Sequence, residues 1–371
     1  MLSSVIWGPL AQAQTVVKDF HDWSMGCSNL KTCTAVSISG LNEMGVAARP
    51  RGISNDTEMG WLLLEVEAGP NARPKILYSG DYSSSQPTPK EASLRVVGRD
   101  GKTLPQGSFT LIPEARGASN LRPEDVDRFI AVAKSGQAVL YSHSPKSSVL
   151  SFASLSGFVA SMRAIEEVQG RTGTLGAWID RGKAPQSGIP PAPALPRVHA
   201  VSFSKLPARS PIPKLVSTRR ADECDDSDRL DPGGNGVEAF NLGKGQTLWA
   251  IPCGAGAYNM WSKFYLQTSS TRLEAYAFAF PGQADQDEDS NSLVNVSIDP
   301  QAGQISAFAK GRGLADCGRA ATYSWDGTKF ILTDLVEMTA CSGLLPEFWP
   351  VRIKSEVIPP ANKKRPSDDS P

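Results

Sequence analysis

The chain has 371 residues, more than one hydrophobic core usually organises, so its length predicts two domains. Its 38 basic and 38 acidic residues cancel, which excludes a global field that would attract nucleic acid or an anionic membrane. No segment approaches the roughly 18 to 20 apolar residues of a membrane-spanning helix, so we expect no transmembrane segment. The 33 glycines and 28 prolines indicate many turns, and therefore a fold rich in β-strands.

The first 17 residues have two features of an export signal. Val5 to Leu10 form a short apolar run, and Ala11-Gln12-Ala13 has the small-x-small pattern that signal peptidase cleaves. The basic stretch that normally precedes such a run is missing, so residues 1–17 are interpreted as the remnant of a signal peptide, with a frayed apolar tail as the alternative. We therefore expect a periplasmic or secreted protein, in which cysteines form disulfides.

Residues 18–182 are predicted to form an N-terminal α+β domain with antiparallel strands and two helices. Its predicted strands are Thr34–Ile38, Trp61–Val66, Lys75–Tyr78, Leu94–Val97, Phe109–Ile112 and Ala138–Tyr141. Asp100-Gly101 predicts a hairpin turn, since both turn positions tolerate positive φ. One helix is predicted to begin near Pro123, and another carries apolar residues at helical spacing and ends before Gly170.

Residues 183–215 are predicted to be an extended linker, because so many prolines disfavour a helix or a central strand. Residues 216–356 are predicted to form a C-terminal domain that is all β and antiparallel. Its predicted strands are Thr247–Ile251, Lys263–Leu266, Leu273–Phe280, Leu293–Ile298, Gln304–Ala309, Thr322–Trp325 and Phe330–Glu337. Asp326-Gly327 predicts a tight hairpin, and residues 357–371, which lack apolar periodicity, are predicted to be disordered. The predicted fold class is therefore mainly β with a minor α component.

The six cysteines are interpreted as three structural disulfides. Cys27 and Cys33 lead into a predicted strand, whereas a redox pair of the thioredoxin type needs C-x-x-C at the start of a helix. Zinc would need further ligands, and the chain has only 3 histidines, so we expect no metal site. Several connectivities are open, and pairing neighbours is preferred. The preferred bridges are Cys27–Cys33, Cys224–Cys253 and Cys317–Cys341.

Two glycine-rich stretches and one acidic run are weak candidates for cofactor sites. Gly243–Thr247 lacks the first glycine of a phosphate-binding loop, and Gly311–Gly318 lacks the G-x-G-x-x-G register, so both are interpreted as turns. The run at Asp285–Asp289 begins like a calcium loop but has Ser290 and Val296 where glycine and glutamate are needed. It is interpreted as a solvated loop, with weak calcium binding as the alternative. We therefore expect no cofactor.

Five stretches form a set: the W-x3-C-x5-C pattern of Trp23–Cys33, EEVQGRTGT of Glu166–Thr174, PCGAGAYN of Pro252–Asn259, KGRGLADCG of Lys310–Gly318, and the SWDGTKF hairpin. This set resembles the DUF1176 family of exported bacterial proteins, whose function is uncharacterised. The N-terminal part is similar in style to invasion-associated locus B proteins. The resemblance covers most of residues 18–356 and implies export and disulfides, but it implies no reaction.

Two functions are open from the sequence. The preferred one is a non-catalytic protein that binds an unknown envelope component or protein through its second domain, because no catalytic pattern such as the G-x-S-x-G elbow is present. The alternative is a hydrolase of an envelope polymer that uses paired carboxylates brought together by the fold. A deep cleft with two carboxyl groups would favour the enzyme, and an aromatic and basic patch would favour binding. We expect a monomer with no nucleic-acid partner.

The predicted binding residues are Tyr258, Asn259, Lys310, Arg312 and Asp316. The first two follow a glycine-rich turn, and the other three crowd the turn before a cysteine. A disulfide there would hold the turn rigid, and rigid polar groups lose less entropy on binding. Lys310 and Arg312 would contact an anionic or hydroxyl-rich component, with Tyr258 as an apolar platform. The alternative is structural: Asp316 pairs with Arg312, and Tyr258 fills the edge of the core.

Overall fold

The structure is a computed structural model that describes residues 17–38, 51, 53–54, 57–79, 92–113, 118–208, 212–224, 236–281 and 290–361. Its contacts divide the described chain into two compact units, with the division between Pro193 and Ala194. We call residues 17–193 the first unit and residues 194–361 the second unit. The predicted signal peptide before Val17, the acidic run at Asp285–Asp289 and the tail beyond Ala361 lie outside the described residues.

Strands dominate the described chain, which confirms the mainly β fold class. In the first unit, one sheet contains the strands β1 (Val17–Phe20), β2 (Trp23–Cys27), β3 (Cys33–Ser37), β4 (Glu58–Met59), β5 (Trp61–Val66), β6 (Lys75–Ser79), β7 (Ala92–Val97), β8 (Thr103–Pro113), β9 (Ala118–Leu121), β10 (Ala138–Ser142) and β11 (Ser151–Ser154). Their order across the sheet is β1-β2-β3-β5-β6-β9-β8-β7-β10-β11-β4. Neighbours are antiparallel except for β11 and β4.

The two helices of the first unit follow the apolar spacing of the sequence. Helix α1 (Val126–Ala133) continues from a short 3₁₀ turn that begins at Pro123, and helix α2 (Phe158–Gln169) ends before Gly170, as predicted. The buried positions of α1 recur every three or four residues, and those of α2 include Phe158 and Met162. Both helices contribute these faces to one core with the sheet. None of the helices among the described residues is both long and apolar enough to cross a membrane.

The second unit contains a helix, α3 (Lys214–Glu223), and thirteen described strands. The strands are β12 (Arg197–His199), β13 (Ser204–Lys205), β14 (Glu238–Gly243), β15 (Gln246–Ala255), β16 (Met260–Ser269), β17 (Arg272–Ala275), β18 (Ser292–Val294), β19 (Ser297–Asp299), β20 (Gln304–Lys310), β21 (Gly318–Trp325), β22 (Phe330–Met338), β23 (Val351–Lys354) and β24 (Glu356–Ile358). Strands β13 to β17 form one antiparallel sheet in chain order, and β18 joins it by pairing with β16. Strands β19 to β23 form a second antiparallel sheet, while β12 and β24 form a separate parallel pair. The two larger sheets share a core that includes Phe240 and Phe264 from one and Ile305 and Leu335 from the other.

Three disulfides connect the described cysteines. They are Cys27–Cys33, Cys224–Cys253 and Cys317–Cys341, so the preferred pairing of neighbours is confirmed. The first bridge joins the ends of β2 and β3, which are antiparallel neighbours. The other two lie in the second unit and close longer segments of chain.

The segment predicted as a linker is more structured than its prolines indicate. Strand β12 pairs with β24, strand β13 pairs with β14, and α3 begins at Lys214 directly after Pro213. Helix α3 also corrects the prediction that the C-terminal domain is all β. Half of the α3 residues are exposed and only Val216 and Arg220 are buried, so its apolar periodicity is too short to signal a helix.

Two predicted strands are shorter or broken in the structure. The run Leu273–Phe280 is a strand only as far as Ala275, because Phe278 turns away to donate its backbone N–H to Ser290 and not to a ladder with β16. The run Leu293–Ile298 is split into β18 and β19, which belong to different sheets. Asn295 lies at the break with a φ of 46°, a left-handed conformation that interrupts a strand.

Candidate functional site

A cleft of about 680 Å³ opens in the second unit and is lined by residues of both larger sheets. The pairing of β20 with β21 explains the space. Ile305 pairs with Tyr323, and both side chains are buried in the shared core. Two residues further along the same face, Ala307 pairs with Ala321. Small side chains at this second pair leave empty the volume that large side chains fill at the first.

The next pair on this face places a cation at the cleft. Arg319 lies opposite Ala309, its side chain is exposed, and its guanidinium carbon is 4.6 Å from the centre of the Phe280 ring. This is a cation–π contact. The exposed guanidinium carries N–H groups that can bind an anionic group in the cleft.

The hairpin of β15 and β16 forms another wall of the cleft. Trp261 lies opposite Gly254, and a Cβ atom at residue 254 would be 2.0 Å from the tryptophan ring. Only glycine permits this close approach. On its other side Trp261 pairs with Val294, which also lines the cleft. One glycine of the PCGAGAYN stretch thus makes room for an aromatic residue that follows the stretch.

Asn259 fastens the turn between β15 and β16 to strand β20. Its amide nitrogen donates to the Lys310 carbonyl at 2.9 Å, and its amide oxygen accepts from the Lys310 N–H at 3.1 Å. Asn295 donates to the same amide oxygen and to the carbonyl of Phe308, both at 2.9 Å. Asn259, one of the predicted binding residues, lines the cleft. Its side-chain amide is engaged in these hydrogen bonds within the protein.

The loop before Cys317 is held by an ion pair between the partly exposed Arg312 and the buried Asp316. Arg312 Nε donates to Asp316 Oδ1 at 2.7 Å, and a second guanidinium nitrogen of Arg312 donates to Asp316 Oδ2. The backbone N–H of Gly343 also donates to Oδ2, at 2.5 Å. The Arg312 hydrogen bonds, helped by Gly343, hold the pKa of Asp316 below its ordinary value of 3.8. For these two residues the structure agrees with the structural alternative, in which Asp316 pairs with Arg312.

Tyr258 differs from that alternative, because it does not fill the edge of the core. Its hydroxyl donates to the Gly311 carbonyl at 3.1 Å, while 41% of the residue is exposed and its side chain lines the cleft. Lys310 follows Ala309 and so projects from the opposite face of β20. Of the five predicted binding residues, Tyr258 and Asn259 line the cleft; Lys310, Arg312 and Asp316 do not.

Three residues of the cleft, Trp261, Phe280 and Arg319, were not predicted from the sequence. Trp261 could have been suggested by the glycine of the preceding strand, since glycine in a strand often marks a close approach. Alternation along β21 places Arg319 on the face of Tyr323, but the neighbouring alanines, and therefore the cleft, become visible only from the register of β20 with β21.

The described residues that line the cleft include no aspartate, glutamate, histidine or cysteine. Burial raises the pKa of Tyr323, at the base of the cleft, to about 12, so its phenol stays protonated at neutral pH. Nearby, Asp316, Cys317 and Cys341 lie within 4.8 Å of one another, but the two sulfurs are joined as a disulfide and offer no thiolate to a metal. The titratable side chains among the described lining residues are therefore Tyr258, Tyr323 and Arg319.

The EEVQGRTGT stretch of the first unit has a different chemistry. Glu166 is fully buried and accepts the backbone N–H groups of Trp178, Ile179 and Asp180 at 2.5, 2.7 and 3.1 Å. Arg171, 1% exposed, donates to the Gly69 carbonyl at 2.6 Å and lies over the Trp178 ring. A pocket of about 400 Å³ adjoins this network. The buried charges of Glu166 and Arg171 thus form hydrogen bonds with backbone groups of the protein itself.

Comparison with known proteins places the chain in a family. The family described as "Protein of unknown function (DUF1176)" matches residues 17–355, and the chain therefore belongs to it. The chain is similar to the uncharacterized protein YpfG of Escherichia coli (strain K12), with 25% identity over 364 residues and 94% of each chain covered. The crystal structure of invasion associated protein b from Bartonella henselae matches 42% of this chain and 99% of its own, at 13% identity and a TM-score of 0.28. That structural likeness is too weak to support an argument.

Proposed function

We propose that the chain is a non-catalytic binding protein of the bacterial envelope, and that its ligand enters the cleft of the second unit. The observation that carries this proposal is the lining of the cleft: aromatic and aliphatic side chains with one exposed guanidinium. A hydrolase of the glycosidase type would need two carboxyl groups in the cleft, and the described lining residues contain none. The three disulfides support a periplasmic or secreted location.

The five residues predicted from the sequence serve this site in our proposal, two of them in its lining and three in the adjoining strand and loop. Tyr258 is the apolar platform, and Asn259 fixes the turn that carries it. The ion pair of Arg312 with Asp316 keeps the adjoining loop in one conformation, which lowers the entropy lost on binding. Lys310 projects from the opposite face of β20, so its positive charge would attract an anionic ligand over a distance and would not contact it in the cleft.

We further propose that the protein is a monomer of two separately folding domains, an α+β domain over residues 18–182 and a β domain over residues 216–356, which binds no nucleic acid. The contact division between Pro193 and Ala194 and the balanced net charge support this organisation. Residues 190–197 are exposed, so limited proteolysis is expected to cut there first and release two stable fragments. A first cut inside the hairpin at Asp326 would contradict the division.

Native mass spectrometry of the protein isolated from a bacterial periplasm tests the binding function. The wild-type chain is expected to carry a non-covalent adduct. Ala307→Phe fills the cleft and is expected to lose the adduct while keeping the thermal transition. The double variant Lys310→Ala with Arg312→Ala disturbs the mouth of the cleft and is also expected to lose the adduct, with a lower but still cooperative thermal transition, because Arg312 pairs with Asp316. Ala275→Phe is the matched control, because Ala275 is exposed in the same unit and does not line the cleft.

Retention of the adduct by a folded Ala307→Phe protein would show that the cleft is not the binding site. Retention by the folded Lys310 and Arg312 double variant would remove those two residues from the site and leave the cleft.

A further inference from the structure

The polar side chains at the mouth of the cleft are largely engaged within the protein. The Asn259 amide bonds to Lys310 and Asn295, and Arg312 bonds to Asp316. A carbohydrate needs side-chain donors and acceptors for many hydroxyl groups, and losing water without replacing its hydrogen bonds is unfavourable. The two serines of the described lining, Ser290 and Ser292, are few for that purpose.

What remains for a ligand is a trough of mixed surface, in which aliphatic and aromatic side chains lie beside polar groups and a single charge. The alanines of β20 and β21, together with Leu293 and Val294, provide aliphatic surface, and Trp261 and Phe280 provide aromatic faces. Arg319 is the cation among the described lining residues. Glu337 lies opposite Arg319 in the ladder with β22, and its carboxylate is bound by Arg352. That pairing leaves the Arg319 charge available to the cleft.

Large apolar side chains are also exposed around the mouth. Tyr258, Met260 and Trp261 are 41%, 56% and 36% exposed, and Leu314, in the loop that receives the Tyr258 hydroxyl bond, is 75% exposed. Four such residues, in the turn before β16, at the start of β16 and in the loop before Cys317, exceed the scattered apolar exposure of an ordinary surface. They extend the apolar character of the trough beyond its opening.

We propose that the ligand is a single-chain amphiphile: an acyl chain that lies along the alanine trough, with a carboxylate or phosphate group bound by Arg319. This inference rests on the proposed function of the cleft and names its ligand class. A guanidinium binds either head group through two parallel hydrogen bonds. The volume of about 680 Å³ lies in the range of sites that enclose small molecules.

Isothermal titration calorimetry of the purified full chain tests the ligand class with four probes below their micelle concentrations: dodecanoate, dodecyl phosphate, dodecanol and a neutral glucose hexamer. Dodecanoate or dodecyl phosphate is expected to bind, with affinity reduced roughly tenfold in Arg319→Gln, because a charge-assisted hydrogen-bond pair is lost. Dodecanol is expected to bind wild type and Arg319→Gln equally. Arg99→Gln, an exposed arginine of the first unit, is the control and should change nothing.

The outcomes separate this inference from the proposed function. Binding of the glucose hexamer but of no acyl probe, lost in Ala307→Phe, would overturn the amphiphile and keep the cleft as a site. Acyl binding that Arg319→Gln leaves unchanged would overturn the role of the guanidinium. Acyl binding that a folded Ala307→Phe protein retains would overturn both, because the ligand would lie elsewhere.

Discussion

The stretch Glu166–Thr174 of the first unit and the stretch Lys310–Gly318 of the second unit both combine charged residues with glycines. The charged residues have different surroundings in the two places. In the first unit, Glu166 and Arg171 are buried; their hydrogen bonds go to backbone groups, except that Arg171 Nε donates to the Gln169 side chain. In the second unit, Arg312 and Asp316 pair with each other, and the next arginine, Arg319, stays exposed at a cleft. The same residue types are a structural network in one place and a candidate ligand contact in the other.

The difference depends on whether the charged group at the end of each side chain is enclosed by the protein or stays accessible. A buried charge needs a full set of hydrogen bonds, and a loop that wraps around Glu166 can supply them from its own backbone. In strand β21, by contrast, Arg319 lies on the face of the sheet where the small side chains of Ala307, Ala309 and Ala321 leave space. Charge in a glycine-rich stretch therefore indicates function only where the fold leaves the charged atoms accessible.

Glu166→Gln should give the largest loss of stability. Removing the charge leaves three backbone N–H groups with a weaker acceptor and Arg171 without a nearby opposite charge, at a cost of about 3 kcal/mol. Urea unfolding should show this loss, with ligand binding by the cleft unchanged. Glu167→Gln is the matched control, because Glu167 is exposed, and it should stay within about 0.5 kcal/mol of wild type. Equal effects of the two variants would mean that the network is not structural.

Removing the Cys317–Cys341 bridge should have the next effect. The bridge spans 24 residues of sequence, and replacing both cysteines by alanine is expected to lower the free energy of unfolding by about 2 to 3 kcal/mol through greater freedom of the unfolded chain. The freed loop should also weaken ligand binding, because it must then be ordered on association. Thermal unfolding and calorimetry measure the two effects. Unchanged affinity in this variant would separate the loop from the site.

The ion pair of the same loop should make stability depend on pH. The pKa of Asp316 is lower in the folded state than its ordinary value of 3.8, so its stabilisation is present above that value and is lost as pH falls through the folded pKa. Asp316→Asn is therefore expected to be less stable than wild type at pH 7 by about 2 kcal/mol, with the gap closing toward pH 2. Melting temperatures from pH 7 to pH 2 measure this. Asp222→Asn, at an exposed carboxylate, should show no such gap, and a constant gap for Asp316→Asn would contradict the assignment.

Arg319→Gln should have the smallest effect on stability. Its side chain is exposed and contacts one ring, so the free energy of unfolding is expected to change by less than about 0.5 kcal/mol. Urea unfolding measures this change beside that of Glu166→Gln. A loss of unfolding free energy as large as that of Glu166→Gln would mean that Arg319 stabilises the fold, as Glu166 does, and is not kept for a ligand.

Local patterns in the sequence predicted much of this fold. The apolar spacing from Val126 to Ala133 and the Asp-Gly turns gave the correct helix and hairpins, because those features depend on near neighbours in the chain. Helix α3 was not predicted, because half of its residues are exposed and it has little apolar periodicity. The long run after Leu273 was wrong beyond Ala275, because alternation of residue size cannot distinguish a paired strand from an extended loop.

The candidate site was harder to predict than the fold. Tyr258 and Asn259 were found because they follow an unusual glycine-rich turn. Arg319 was missed because its role depends on the register that places it beside Ala309 and near the Phe280 ring. Such proximity arises from the pairing of distant strands, which a single sequence does not encode in its local spacing.

Photo-crosslinking gives the most direct test of the claim that the cleft of the second unit is the ligand site. The probe is a dodecanoate that carries a diazirine on its chain, and adducts on the full-length protein are located by peptide mass spectrometry. We expect adducts in the peptides that contain Trp261 and Ala307 to Ala321, and we expect their loss in Ala307→Phe. Adducts concentrated at the first unit's pocket of about 400 Å³, around Arg73 and Trp178, would contradict it.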